Sequence, residues 1–255
     1  MTLELSGQVI GPDGARDLSV AIEKHPCLTA LGLNANAIQD VGALDLASAL
    51  ARMGPRSPLR SLDLRGNKLA EPAARALADV LKAGVPLQQL LLYNNGICHR
   101  GAVALASALE QPGSTLTNLD LQANNIGDVG ASALAHAVLH NSALLTLGLR
   151  GCQIADLGAS ALATALGSNS TLTSIDLYAN SVGDKGVSEL CSHLKMNEKS
   201  ALSSLELDGN SFRTAGCDSL AGLLRTSTSL TTLALSSRSV GNEGLAALAE
   251  ALAHD

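Results

Sequence analysis

The chain has 255 residues, 46% of them hydrophobic, but its aromatics are only Tyr93, Tyr178 and Phe212, and Trp is absent, which excludes a base-stacking platform or an aromatic cage. Its formal charge is −6 and no run of five Lys or Arg occurs, so the electrostatic footprint of a nucleic-acid or anionic-membrane binder is missing. No apolar stretch reaches the roughly 18 residues of a membrane span, and five scattered cysteines without a CxxC pair predict reduced thiols in a cytoplasmic protein.

From the N-terminus onward one pattern recurs. Leu3, Leu5, Gln8, Ile10, Gly14, Leu18 and Ile22 form an incomplete first unit, and complete units start at Leu28, Leu59, Leu87, Leu116, Leu144, Leu172, Leu202 and Leu230, spaced 28 to 31 residues apart. With the starting Leu as position 1, apolar residues fall at positions 4, 6, 11, 19 and 23, with Asn usually at 9 and Gly usually at 15. Apolar 4 and 6 among polar 3, 5 and 7 have the period of a strand with one buried face. Positions 19 and 23, four apart in Ala-rich stretches such as GASALATAL, share one face of a helix. Each unit is therefore predicted to be a strand followed by a helix. One unit cannot bury its own leucines, but stacking on its neighbours buries them at roughly 1.5–3 kcal/mol each. The pattern fills residues 1–255 as a single domain of nine units.

Position 9 reads Gln8, Asn36, Asn67, Asn95, Asn124, Cys152, Asn180, Asn210 and Arg238. An amide there offers donors and an acceptor to a chain leaving its strand, and the misfits Gln8 and Arg238 fall in the end units, where atypical residues are expected. Gly at position 15, replaced only by Ala73, points to a close backbone approach. The stretches ARMGPRSP, EQPGST and KMNEKSA are predicted loops.

The pattern LxxLxLxxNxIxxxGxxxLxxxL resembles the ribonuclease-inhibitor-like class of leucine-rich repeats, and NSTLTSIDLYANSVGDKGVSEL resembles the repeats of NOD-like receptors. The resemblance implies an α/β solenoid, a curved horseshoe with a parallel sheet on its concave face and helices outside. It implies protein binding, with two alternatives: a small-GTPase regulator resembling Ran GTPase-activating proteins, or the sensor or autoinhibitory repeats of a NOD-like receptor-type protein.

Candidates for catalysis are sparse. Cys98 and His99 are adjacent in a turn, and His136 and His140, spaced i, i+4, occupy a slot that holds Ser48, Ser107, Thr164 and Glu250 elsewhere, which marks it as solvent-facing. No GxGxxG or GxxxxGK[ST] motif occurs. The expectation is a protein without catalytic residues, cofactor or metal, bound by neither nucleic acid nor membrane. The distinctive residues lie at positions 5 and 7, facing the concave surface: Asp63, Arg65, Leu91, Tyr93, Asp120, Gln122, Arg150, Asp176, Tyr178, Glu206 and Asp208. The two tyrosines are three units apart, about 14 Å at the spacing of sheet strands. Arg150 is expected between them, with Asp120 and Asp176 on adjacent strands and Leu91 exposed beside Tyr93; if the stripe merely solubilises the sheet, those acids balance Arg150. Tyr and Arg are enriched at interface hot spots, so this stripe is the expected partner-binding patch. The uncapped ends are expected to fray or to self-associate.

Overall fold

The computed structural model describes residues 1–25, 27–235 and 237–253, the side chains of 237–239 excepted. The position-9 expectation for Arg238 therefore lies outside the described residues. Strands and helices alternate in chain order: β1 (Thr2–Glu4), α1 (Gly11–Glu23), β2 (Ala30–Gly32), α2 (Gln39–Met53), β3 (Ser61–Asp63), α3 (Glu71–Lys82), β4 (Gln89–Leu91), α4 (His99–Leu109), β5 (Asn118–Asp120), α5 (Gly127–His140), β6 (Thr146–Gly148), α6 (Asp156–Leu166), β7 (Ser174–Asp176), α7 (Asp184–Met196), β8 (Ser204–Glu206), α8 (Thr214–Leu224), β9 (Thr232–Ala234) and α9 (Ser237–Leu252). The strands form one nine-stranded parallel sheet in sequence order. Its register keeps position 4 opposite position 4, as in Leu62 with Leu90 and Leu90 with Leu119. Strands pair about 4.8 Å apart whereas helices need about 8–10 Å between axes, so the stack bends with the sheet on its inner side.

Packing follows the repeat. In the unit starting at Leu116, Leu116, Leu119, Leu121, Ile126 and Leu134 are all fully buried. The Gly at position 15 lets successive helices close up: an added Cβ on Gly42 would lie 2.7 Å from the Ala15 Cβ, and one on Gly130 would lie 3.0 Å from the Ala102 Cβ. Position 16, held by Ala15, Ala43, Ala102, Ala131 and Ala159 among others, is the small partner of that glycine.

Two polar ladders connect the units. Each position-9 Asn reaches back one repeat: Asn95 accepts the N–H groups of Asn67 (2.9 Å) and Leu69 (3.0 Å) and donates to the carbonyls of Leu64 (3.1 Å) and Leu92 (3.0 Å). Asn124 accepts from Ile97 N–H (3.0 Å) and donates to Leu92 (2.9 Å) and Leu121 (3.0 Å). Cys152 fills the same slot, its thiol 3.2 Å from the Leu121 carbonyl. The second ladder caps helices across repeats. Asp128 Oδ1, in the first turn of α5, accepts N–H groups of Ala155 (2.7 Å) and Gly158 (2.9 Å) at the start of α6. Asp156 does the same for Gly183 and Gly186 of the next unit, and Asp184 for Arg213 and Gly216. The orphan donors of a helix start are thus satisfied from the preceding helix.

Candidate protein interface

Side chains at positions 3, 5 and 7 form the concave face. The strands span only positions 3–5, yet backbone pairing continues beyond them: Asn94 N–H bonds the Gln122 carbonyl (2.9 Å), Ala123 the Arg150 carbonyl (2.7 Å) and Gly151 the Tyr178 carbonyl (2.8 Å). Position 7 is thereby held in a row. Position 8 then turns the chain outward in the left-handed region, with φ of 52° at Ala123 and 62° at Gly151.

The acids at position 5 bond first to their own turn. Asp63, Asp120 and Asp176 accept the backbone N–H two residues on, from Arg65 (3.0 Å), Gln122 (3.0 Å) and Tyr178 (2.8 Å). This Asx geometry fixes each carboxylate on the sheet surface. Asp63 is also forked by Arg65, with Nε 2.9 Å from Oδ1 and 3.0 Å from Oδ2. That hydrogen bond raises the Arg65 pKa above its ordinary value, against the cost of burial and with help from the fields of Asp63, Asp120 and Glu4. Asp63 is 9% exposed, so it presents little of itself to a partner and serves chiefly to hold Arg65. Burial pushes the Asp120 carboxyl above the usual range; the Gln122 N–H and Arg65 oppose the shift, and Asp176 and Asp63 add to it.

Arg150 sits in the repeat next to that of Tyr178 but is not balanced by the neighbouring acids, in contrast to the solubilising reading. Its guanidinium carbon lies 4.0 Å from the centroid of the Tyr178 ring, a cation–π contact. Among the described residues it has no ion pair with Asp120 or Asp176, an Oδ1 of each taking a backbone N–H. Leu91 is half-buried rather than exposed, because β3 and β5 flank it on both sides. Tyr93 is 41% exposed, and among the described residues neither tyrosine hydroxyl has a hydrogen-bond partner. Gln122 leans over Gly148, its Nε2 2.8 Å from where a Cβ would stand. Glu206 and Asp208 continue the stripe, half-buried, on and just after β8. The eleven predicted residues thus share one surface, with five carboxylates against two guanidinium groups.

The remaining candidates scatter. Cys98 precedes α4, and His99 is its first helical residue, on the rim of the stack. His136 points outward with Nδ1 2.9 Å from Glu110, the residue just after α4, and among the described residues no group of three or more His, Cys, Asp or Glu is arranged to hold a metal. Burial pushes the thiols of Cys152 and Cys191 up to about 12, which leaves them protonated and unreactive at neutral pH. No described helix is long and apolar enough to cross a membrane. Sequence reasoning missed the Asx turns and the cross-repeat helix caps, although the spacing of Asp40, Asp128, Asp156 and Asp184 at position 13 was a signal for the second.

The sequence profile of the leucine-rich repeat matches residues 24–47, 57–78, 114–135, 140–163, 168–191 and 226–249, more than half of the chain. The chain belongs to the leucine-rich-repeat family. This leucine-rich-repeat chain is 33% identical over 253 residues, 98% of its length, to NACHT, LRR and PYD domains-containing protein 5 of Bos taurus, of which it covers 23%. It is 34% identical to RAN GTPase-activating protein 2 of Arabidopsis thaliana over 106 residues, 42% of the chain and 19% of that protein. To the ribonuclease inhibitor of Sus scrofa it is 31% identical over 135 residues, 53% of the chain and 29% of that protein. The repeats are thus of the ribonuclease-inhibitor-like kind that also occurs in NOD-like receptor proteins. The chain spans less than a third of the length of each of these relatives.

Proposed function

We propose that residues 1–255 act as one leucine-rich-repeat domain, a non-enzymatic cytoplasmic protein-interaction module that engages a protein partner on its concave face. The observation that carries this reading is the Arg150–Tyr178 stack, a guanidinium on a ring with no carboxylate partner among the described residues, on the same face as the exposed Tyr93. Rigid rings with free hydroxyls and a pre-positioned guanidinium lose little conformational entropy on binding, which is what makes Tyr and Arg effective anchors. The surrounding carboxylates steer a partner with a complementary basic surface. A relative, the ribonuclease inhibitor of Sus scrofa, is by its name a protein that acts on an enzyme, which supports a protein-binding role. The test is capture of the partner with the intact chain, followed by binding measurements on variants. Tyr93→Ala and Tyr178→Ala should each weaken binding by on the order of 2 kcal/mol, about thirtyfold, with little change in melting temperature. His136→Ala on the helix face is the control. Binding that survives the double tyrosine substitution and fails in the helix-face variant overturns the concave assignment.

A second reading rests on the match to RAN GTPase-activating protein 2: the same surface would hold a small GTPase. Stimulated GTP hydrolysis across a panel of small GTPases supports it, and unchanged hydrolysis by every member removes it. The length-spanning match to a NACHT-containing protein supports a third reading, a sensor or autoinhibitory repeat array.

A further inference from the structure

Of the six histidines only His136 and His140 stand four apart, and both lie on the last two turns of α5, on the outer face of the stack. Residues at that spacing are neighbours on a helix surface. The corresponding positions in the flanking repeats hold Ser107 and Gln111 on one side and Thr164 and Ser168 on the other, so α5 alone places two imidazoles there. In those flanking repeats the Thr164 hydroxyl turns back to the Ser160 carbonyl (3.0 Å) and the Gln111 amide to the Ser107 carbonyl (3.3 Å). The two imidazole rings instead face one another, with centroids 4.7 Å apart and planes tilted by 51°, and both residues are exposed.

Each ring has one nitrogen already committed. His136 Nδ1 lies 2.9 Å from Glu110 Oε1, and His140 Nδ1 lies 2.9 Å from the His136 carbonyl. A carboxylate and a carbonyl can only accept, so both Nδ1 atoms carry the hydrogen. A neutral ring fixed in this tautomer keeps its lone pair on Nε2. The pair thus offers two Nε2 donors, and the Glu110–His136 contact is the carboxylate–histidine arrangement that orients imidazole ligands of metal ions. The spacing agrees with that chemistry. With Nε2 about 2.0–2.1 Å from a metal, each ring centre stands about 3.2 Å from it, which puts two rings at square-planar or tetrahedral angles about 4.5–5.2 Å apart. The observed separation of 4.7 Å falls within that interval.

We propose that His136 and His140 form a two-imidazole chelate for a divalent transition-metal ion of the nickel, copper and zinc group. Imidazole nitrogens favour these ions over magnesium and calcium, which take oxygen ligands. Two protein ligands are fewer than a structural zinc site uses, so the ion exchanges and keeps positions open to water or to a donor from another molecule. The site lies on the helices, away from the concave stripe, and its occupancy is independent of the concave assignment. The test is calorimetric titration of the intact chain with nickel(II) alone at neutral pH, with broadening of amide signals by the bound ion to locate it. One ion per chain should bind, with broadening centred on the end of α5, and excess magnesium should not displace it. His136→Gln and His140→Gln, both at exposed sites, should keep the wild-type melting temperature and each abolish saturable binding in the range where wild type saturates. His193→Gln and Cys27→Ser should bind like wild type. In the metal-free chain the ring nitrogen signals of His136 should be those of the Nδ1–H tautomer, and Glu110→Gln should shift them toward the Nε2–H form and weaken binding about tenfold. Absence of saturable binding at millimolar nickel(II), binding that survives either histidine substitution, or an equal loss in His193→Gln overturns the proposal. Unchanged signals and affinity in Glu110→Gln would remove Glu110 from it.

Discussion

Helices α6 and α9 carry nearly the same pattern and have opposite fates. In α6, Ala159, Leu162 and Leu166 at positions 16, 19 and 23 are 0%, 1% and 2% exposed; at the same positions of α9, Leu245 is 60% and Leu252 64% exposed, and Leu248 alone of these three is buried, at 7%. Burial in this molecule is conferred by the neighbouring repeat, since Leu245 and Leu252, on which no repeat packs among the described residues, are exposed. Stability is therefore a sum of interfaces, and the same substitution should cost very different amounts in the two places.

The largest effect follows directly. Leu121→Asp places a carboxylate at a fully buried position between two repeats and should cost more than about 4 kcal/mol, disrupting the flanking units with its own. Leu252→Asp should cost less than about 0.5 kcal/mol, because its site is already wet. Urea titration of the two variants measures the contrast, and equal losses would break it.

The next effect lies inside the stack. Asn124 ties three backbone groups of two repeats, and Asn124→Ala should cost about 1–3 kcal/mol through the unpaired buried groups it leaves. Cys152 receives the Asn124 N–H only weakly, and the Ile126 N–H, which an Asn in that slot would accept, has no described partner. Cys152→Asn should therefore stabilise by about 1 kcal/mol, the one repeat in which the ladder improves on mutation. A melting temperature unchanged by both substitutions would remove the ladder from the account of stability.

The repeat architecture was legible in the sequence because Leu119, Leu121 and Leu134 obey two periods at once, and a fixed spacing allows only one way to superimpose them. The ladder asparagines were legible for the same reason. The surface was harder to read. That Arg150 stacks on Tyr178 instead of pairing with Asp176 is a choice between two neighbours in the same adjacent repeat, which spacing alone does not weigh. Leu91 was misjudged similarly: its position points out of the core, but flanking strands half-cover it. The cross-repeat caps went unread because Asp128 bonds a helix start 27 and 30 residues away, whereas capping is sought locally.

The smallest effect concerns Asp120, whose place in the middle of the sheet distinguishes it from Glu4 at the same position on the exposed first strand. Burial disfavours its charged form and raises its pKa above the ordinary value of 3.8, despite the Gln122 N–H and Arg65. A carboxyl whose pKa is higher in the folded than in the unfolded chain contributes stability fully below the unfolded value and loses it as pH rises through the folded one. Wild type therefore carries a modest penalty at pH 7. Asp120→Asn keeps an oxygen for the Gln122 N–H and has no charge to bury, so it should be slightly more stable than wild type at neutral pH. The difference should shrink as pH falls below 3.8, where wild-type Asp120 is protonated in both states. Urea midpoints of the two proteins, compared at neutral and acid pH, measure this closing gap. A gap that widens on acidification would mean that attraction to Arg65, and not burial at the centre of the sheet, governs this carboxylate.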